Sequence, residues 1–152
     1  MRSRLTALIA ALTATLAFAG VALAGNGGRP LSTPMFGEEE APNLGDLGAT
    51  GQADLRLNQG KGRICFELSW EDIDATNTVT AAHIHKGDVG VAGPIVVPLF
   101  AGMFAGTDEF SDCVDVDKGL IKDIRQHPEE YYVNVHSDPD FIAGAVRGQL
   151  EK

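Results

Sequence analysis

"GQADLRLNQGKGRICFELSW", residues 51–70, holds two runs of alternating side-chain character on either side of Gln59-Gly60-Lys61. Alternation with period two places successive side chains on opposite faces of an extended strand. A short break containing glycine between two such runs is the mark of a β-hairpin. The same texture continues through "TVTAAHIH" (78–85), "GPIVVPLF" (93–100), "EFSDCVDV" (109–116), "YYVNVHS" (131–137) and "AGAVRGQLE" (143–151), with Gly and Pro between the runs. The pattern predicts an all-β fold: an antiparallel, Greek-key-like β-sandwich or barrel of about seven or eight strands. Phe66 and Trp70 read as core residues on one face of their strand.

One stretch departs from the strand pattern. In "DVDKGLIKDIRQHPEEYY" (115–132), Leu120, Ile121 and Ile124 fall on a helical stripe and Pro128 stops it. The spacing predicts one short crossover helix from Asp117 to Gln126. His127, at its end, reads as a solvated histidine favourably placed in the helix dipole.

Upstream of the hairpin, "GNGGRPLSTPMFGEEEAPNLGDL" (25–47) is rich in Gly and Pro, carries an acidic triplet at Glu38–Glu40 and shows no periodic apolar pattern. It reads as a flexible lead-in, with the folded domain spanning 48–152. Residues 1–24 have Arg2 and Arg4, then an apolar run, then Ala22-Leu23-Ala24 as a small-x-small signature. They read as a secretory signal peptide. A membrane span is the competing reading, since Leu5–Ala24 is about long enough to cross a bilayer. The alanine richness and the absence of a basic flank after the run favour cleavage and a mature protein without a span.

Loss of that leader would take the 12 basic residues to 10 against 21 acidic ones, and the net charge from −9 to −11. Such an acidic balance argues against nucleic acid and anionic membrane surfaces, which need clustered Lys and Arg. It favours cations or basic proteins as partners. Cys65 and Cys113 are the only cysteines. In an exported domain they have one possible pairing, a disulfide that contributes about 3 to 4 kcal/mol on the chain-entropy model.

Alternation also sorts the polar residues. His83 and His85 share one face of their run while Ala82 and Ile84 take the other; Tyr132, Asn134 and His136 likewise oppose Val133 and Val135, and Arg147 and Gln149 face away from Val146 and Leu150. Three runs therefore pair an apolar face with a polar one, and strand order decides whether the polar faces converge. An H-x-H pair supplies two imidazoles from one side of a strand, and a histidine from a neighbour would complete a copper or zinc site. The competing reading has the imidazoles pinning the loop "KGDVGVAGP" (86–94) by hydrogen bonds to its backbone. That loop is no phosphate cradle, since its G-x-x-G-x-x-G spacing departs from the nucleotide fingerprints. Asp112, Asp115 and Asp117 lack the loop of a calcium hand, and Ser111 and Ser137 lie in no nucleophile elbow.

"AAHIHKGDVGVAGPIVVPLF" (81–100) and "IRQHPEEYYVNVHSDPDFIAGAVRGQL" (124–150) together resemble the CHRD domain, the module named after the chordin extracellular proteins. The resemblance covers about residues 48–150. It implies an immunoglobulin-like or superoxide-dismutase-like β fold in a secreted or periplasmic protein, and an extracellular ligand or partner protein. "HIHKGDVGVAGP" is also similar to the copper-zinc superoxide dismutase segment in which an H-x-H pair provides copper ligands. That similarity implies metal roles for His83 and His85, with His136 matching a ligand from a late strand. No histidine falls between 86 and 126 to bridge two metals, which speaks against dinuclear chemistry. Three functions stay open: a non-catalytic exported binding module whose patch of His83, His85, Asn134, His136, Arg147 and Gln149 takes a metal ion, small ligand or partner; a mononuclear copper redox enzyme, with Arg147 steering an anion; and a purely structural domain.

Overall fold

A computed structural model describes residues 27–152. The leader read over residues 1–24 lies outside the described residues. Eight strands form one antiparallel sheet: β1 Arg29–Phe36, β2 Thr50–Asn58, β3 Arg63–Glu71, β4 Thr78–Lys86, β5 Ile95–Ala101, β6 Glu109–Asp115, β7 Tyr131–Asp138 and β8 Phe141–Gln149. Their order is β5-β4-β7-β8-β1-β2-β3-β6. The sheet curls until its two edges face each other as a nearly closed barrel. No backbone ladder joins β5 to β6; aromatic rings span the seam, with Phe104 4.6 Å from Phe100 of β5 and 4.9 Å from Phe110 of β6 between centroids. Offset and edge-on ring pairs at such spacings are favourable.

The barrel interior is filled by the apolar parity of each strand, including Leu55, Leu57, Ile64, Phe66, Leu68, Ala82, Ile84, Val133, Val135 and Val146, all buried. Trp70 is buried with them and donates its indole N–H to the Thr107 carbonyl. The hairpin at residues 51–70 forms as expected, with Asn58 opposite Arg63 across the turn. Helix α1, Lys118–Gln126, carries β6 over to β7. Asp117 caps it by accepting from Gly119 N and Leu120 N, and Ile121 and Ile124 bury their side chains in the core. Cys65 and Cys113 stand opposite each other on β3 and β6 and form the expected disulfide.

The reading of residues 25–47 as a flexible lead-in is corrected. Arg29–Phe36 is a central strand, paired along its whole length with β2 and burying Leu31, Thr33 and Met35. Two features hid it. Thr33 breaks the apolar parity, and Pro30 and Pro34 withhold ladder donors. The prolines are tolerated because β1 meets β8 in a single registered pair, Phe36↔Arg147. The chain after β1 makes a 3₁₀ turn at Gly37–Glu39, closes on it with Gly45 N donating to Gly37 O, and is fastened to β8 by Asp46 N donating to Ala145 O.

Candidate histidine centre

The adjacency of β4, β7 and β8 supplies what alternation leaves open. His83, Asn134 and Arg147 stand opposite one another in one cross-strand row, and His85, Tyr132 and Gln149 in the next. These rows lie on the outer face of the barrel, yet they are covered. The loop 87–94 and the segment 37–46 lie over them, and Asn134 and Arg147 are each only 1% exposed.

One ring nitrogen from each of His83, His85 and His136 lies within 4.8 Å of the others; among the described residues this is the one cluster of His, Cys, Asp or Glu with metal-binding spacing. Backbone carbonyls fix two of the rings. His85 Nδ1 donates to Gly93 O at 2.9 Å and His136 Nδ1 to Ile142 O at 2.8 Å. A carbonyl only accepts, so each of these rings carries its proton on Nδ1 and keeps its lone pair on Nε2. His83 Nδ1 donates to His136 Nε2 at 2.9 Å. His85 Nε2 is buried and has no hydrogen-bond partner. The side-chain amide of Asn134 lies 3.0 Å from His136 Nε2 and stands near His85 as well, short of a hydrogen bond with that ring's Nε2. A histidine held by one nitrogen on a backbone carbonyl, with the other free, is the usual posture of a metal ligand.

The rings are neutral at neutral pH. Burial, then the neighbouring His136 and His85, pushes the pKa of His83 from 6.5 down to about 4. Burial also lowers His85, against the pull of the Gly93 carbonyl, and His136, against that of Ile142. Neutral imidazole is the form that binds a metal.

Arg147 and Gln149 behave differently from the patch residues expected. The Arg147 guanidinium carbon lies 3.4 Å from the centre of the Tyr132 ring, which stacks on His85 at 4.8 Å and 12°. Its fork donates to Asp88 O at 2.8 Å and Val91 O at 3.0 Å. Gln149 Nε2 donates to the carbonyls of Gly87, Glu129 and Tyr131. Both side chains thus help to hold the loop 87–94 in place. Tyr132 completes the clamp by accepting from Gly93 N–H at 3.2 Å. Gly93 itself is demanded by the close approach, since a Cβ there would lie 1.7 Å from Lys86 O.

Sequence reasoning missed two residues of this site. Tyr132 was on the right face but had no role assigned to it. Glu40, 6% exposed, lies within the segment read as a lead-in, with its carboxyl facing Asn134 and Arg147. Its only sequence signal is the acidic triplet that follows β1.

A family model described as CHRD domain matches residues 31–150 of the chain. The match begins within β1 and ends just after β8, so it takes in all of the barrel but the first two residues of β1. No curated protein and no solved structure matches the chain significantly.

Proposed function

Because this chain belongs to the CHRD domain family, we propose that it is an exported binding module whose His83, His85 and His136 hold a divalent transition-metal ion, zinc or copper. The observation that carries the reading is His85 Nε2, a buried lone pair without a partner beside two further imidazoles. An unpaired buried acceptor is costly, and a cation would satisfy it. On binding, the proton that His83 shares with His136 would move to the outer nitrogen of His83, freeing both rings as ligands. Three imidazoles leave one coordination position for solvent, a small ligand or a partner's side chain. Asn134 borders that position, while Arg147, Tyr132 and Gln149 position the loop and with it His85.

Export is part of the same proposal. The leader pattern of residues 1–24 and the Cys65–Cys113 disulfide both fit an oxidising compartment, secreted or periplasmic. Among the described residues no helix is long and apolar enough to cross a membrane.

The test is elemental analysis of residues 25–152, purified without a tag from an exported preparation and retitrated with Cu²⁺ and Zn²⁺. About one tightly held ion per chain is expected from a single three-histidine centre, lost in the His83→Ala, His85→Ala double variant. Uptake undiminished in that variant overturns the proposal.

A further inference from the structure

The segment that covers the histidines brings one ionisable group whose role is still open. Glu40 is buried, and its Oε1 has no hydrogen-bond partner. Gly144 makes the room for it: a Cβ on Gly144 would lie 2.2 Å from that oxygen. Burial pushes the Glu40 pKa from 4.5 up to about 7, against the opposing pull of the Asn134 amide and the Arg147 guanidinium. The groups facing it are Asn134 on β7 and Arg147 on β8, with Glu38 and Glu39 preceding it on its own segment; the three imidazoles lie beyond Asn134. Asn134 thus stands beside both the carboxyl and His136, its amide oxygen 3.0 Å from His136 Nε2. A carboxylate this desolvated, with an oxygen left unpaired, is unfavourable unless a cation is close. Arg147 is one such cation, but its hydrogen bonds go to the carbonyls of Val91 and Asp88 and to Gln149 rather than to Glu40, and its pull leaves the carboxyl well above its ordinary range.

We propose that Glu40 is the counter-charge of the histidine centre, stabilising a divalent ion held there and setting the centre's preference for divalent over monovalent cations. The inference rests on the metal-binding reading above. Three neutral imidazoles bring no negative charge, so the full charge of the ion would otherwise be buried uncompensated. Coulomb attraction scales with the ion's charge. At the same separation, the carboxylate stabilises Zn²⁺ by twice what it gives Ag⁺.

The experiment compares Zn²⁺ and Ag⁺ affinities of the wild type and Glu40→Gln at about pH 8, where Glu40 is ionised. Glutamine keeps the size of the side chain and the reach to Asn134, so a positioning role survives while the charge is lost. Removing an outer-shell partner typically costs about 10- to 100-fold in metal affinity. Zn²⁺ affinity is expected to fall by that much and Ag⁺ by only about its square root. Equal losses for the two ions, or none, overturn the inference while leaving the metal site standing; a wild type that binds no Zn²⁺ removes both. Should Glu40→Gln fail to fold by circular dichroism, wild-type calorimetry in buffers of differing protonation enthalpy decides. At pH 7 the histidines are already neutral, so release of about half a proton per Zn²⁺ is expected from Glu40. No release overturns the inference.

Discussion

Replacing Glu40 with Gln should stabilise the metal-free protein by an amount that depends on pH. The pKa of the buried carboxyl is raised from 4.5 to about 7. Below pH 4.5 it is protonated in both the folded and the unfolded chain, and its ionisation costs nothing. Between 4.5 and 7 the folded state keeps a proton that the unfolded chain has released, so folding loses about 1.4 kcal/mol for each pH unit gained. Above 7 the loss is complete, at about 3 kcal/mol from the same conversion. The histidines act with the opposite sign. Their folded pKa values are depressed from 6.5, so the stability they carry is present above 6.5 and lost as pH falls. Both proteins share that term, and the difference between them isolates Glu40. Urea unfolding followed by Trp70 fluorescence, with chelator present, measures it at several pH values from about 4.5 to 8.5. The stability of Glu40→Gln relative to wild type should climb by about 3 kcal/mol across this range and level off above 7. A difference independent of pH refutes the assignment of Glu40 as a desolvated carboxyl.

Arg147→Lys cannot serve the carbonyls of Asp88 and Val91 together, and leaving one unpaired should cost about 1 to 3 kcal/mol in chemical denaturation; an unchanged midpoint would show that the clamp does not form. Replacing Cys65 and Cys113 by Ala opens a loop with a sequence separation of 48, which removes about 4 kcal/mol on the chain-entropy model. A loss below about 1 kcal/mol would count against this crosslink. Gly93→Ala drives a methyl toward Lys86 O and should destabilise by about 1 to 3 kcal/mol. It should also weaken metal uptake through the displaced His85 anchor, and titration with Zn²⁺ reads that second effect; intact affinity would mean that the Gly93 carbonyl does not orient His85.

Period-two alternation made most of the barrel legible, because strands with one face on a core repeat every second residue. The strands from Thr50 onward and the split of Ala82 and Ile84 from His83 and His85 followed from it, and the helix from the change to helical spacing at Leu120, Ile121 and Ile124. β1 did not, since Pro30, Pro34 and the polar Thr33 erase the pattern in a strand that is nonetheless buried between β2 and β8. Losing β1 also lost Glu40, whose burial depends on the chain turning back over β8 after Phe36. The histidines were legible as ligand types, but their convergence depends on β4 lying beside β7, a matter of topology that no single strand encodes. Arg147 and Gln149 were placed on the correct face, but their hold on the loop 87–94 was not legible. Their polar atoms looked available because the loop that consumes them closes over the sheet only in three dimensions.

The most direct test of the histidine centre is X-ray absorption spectroscopy of the protein loaded with one equivalent of Zn²⁺. The account predicts three imidazole nitrogens at about 2.0–2.1 Å, with the imidazole count falling by one in His136→Ala. An oxygen-rich shell with at most one imidazole, unchanged in that variant, would contradict it.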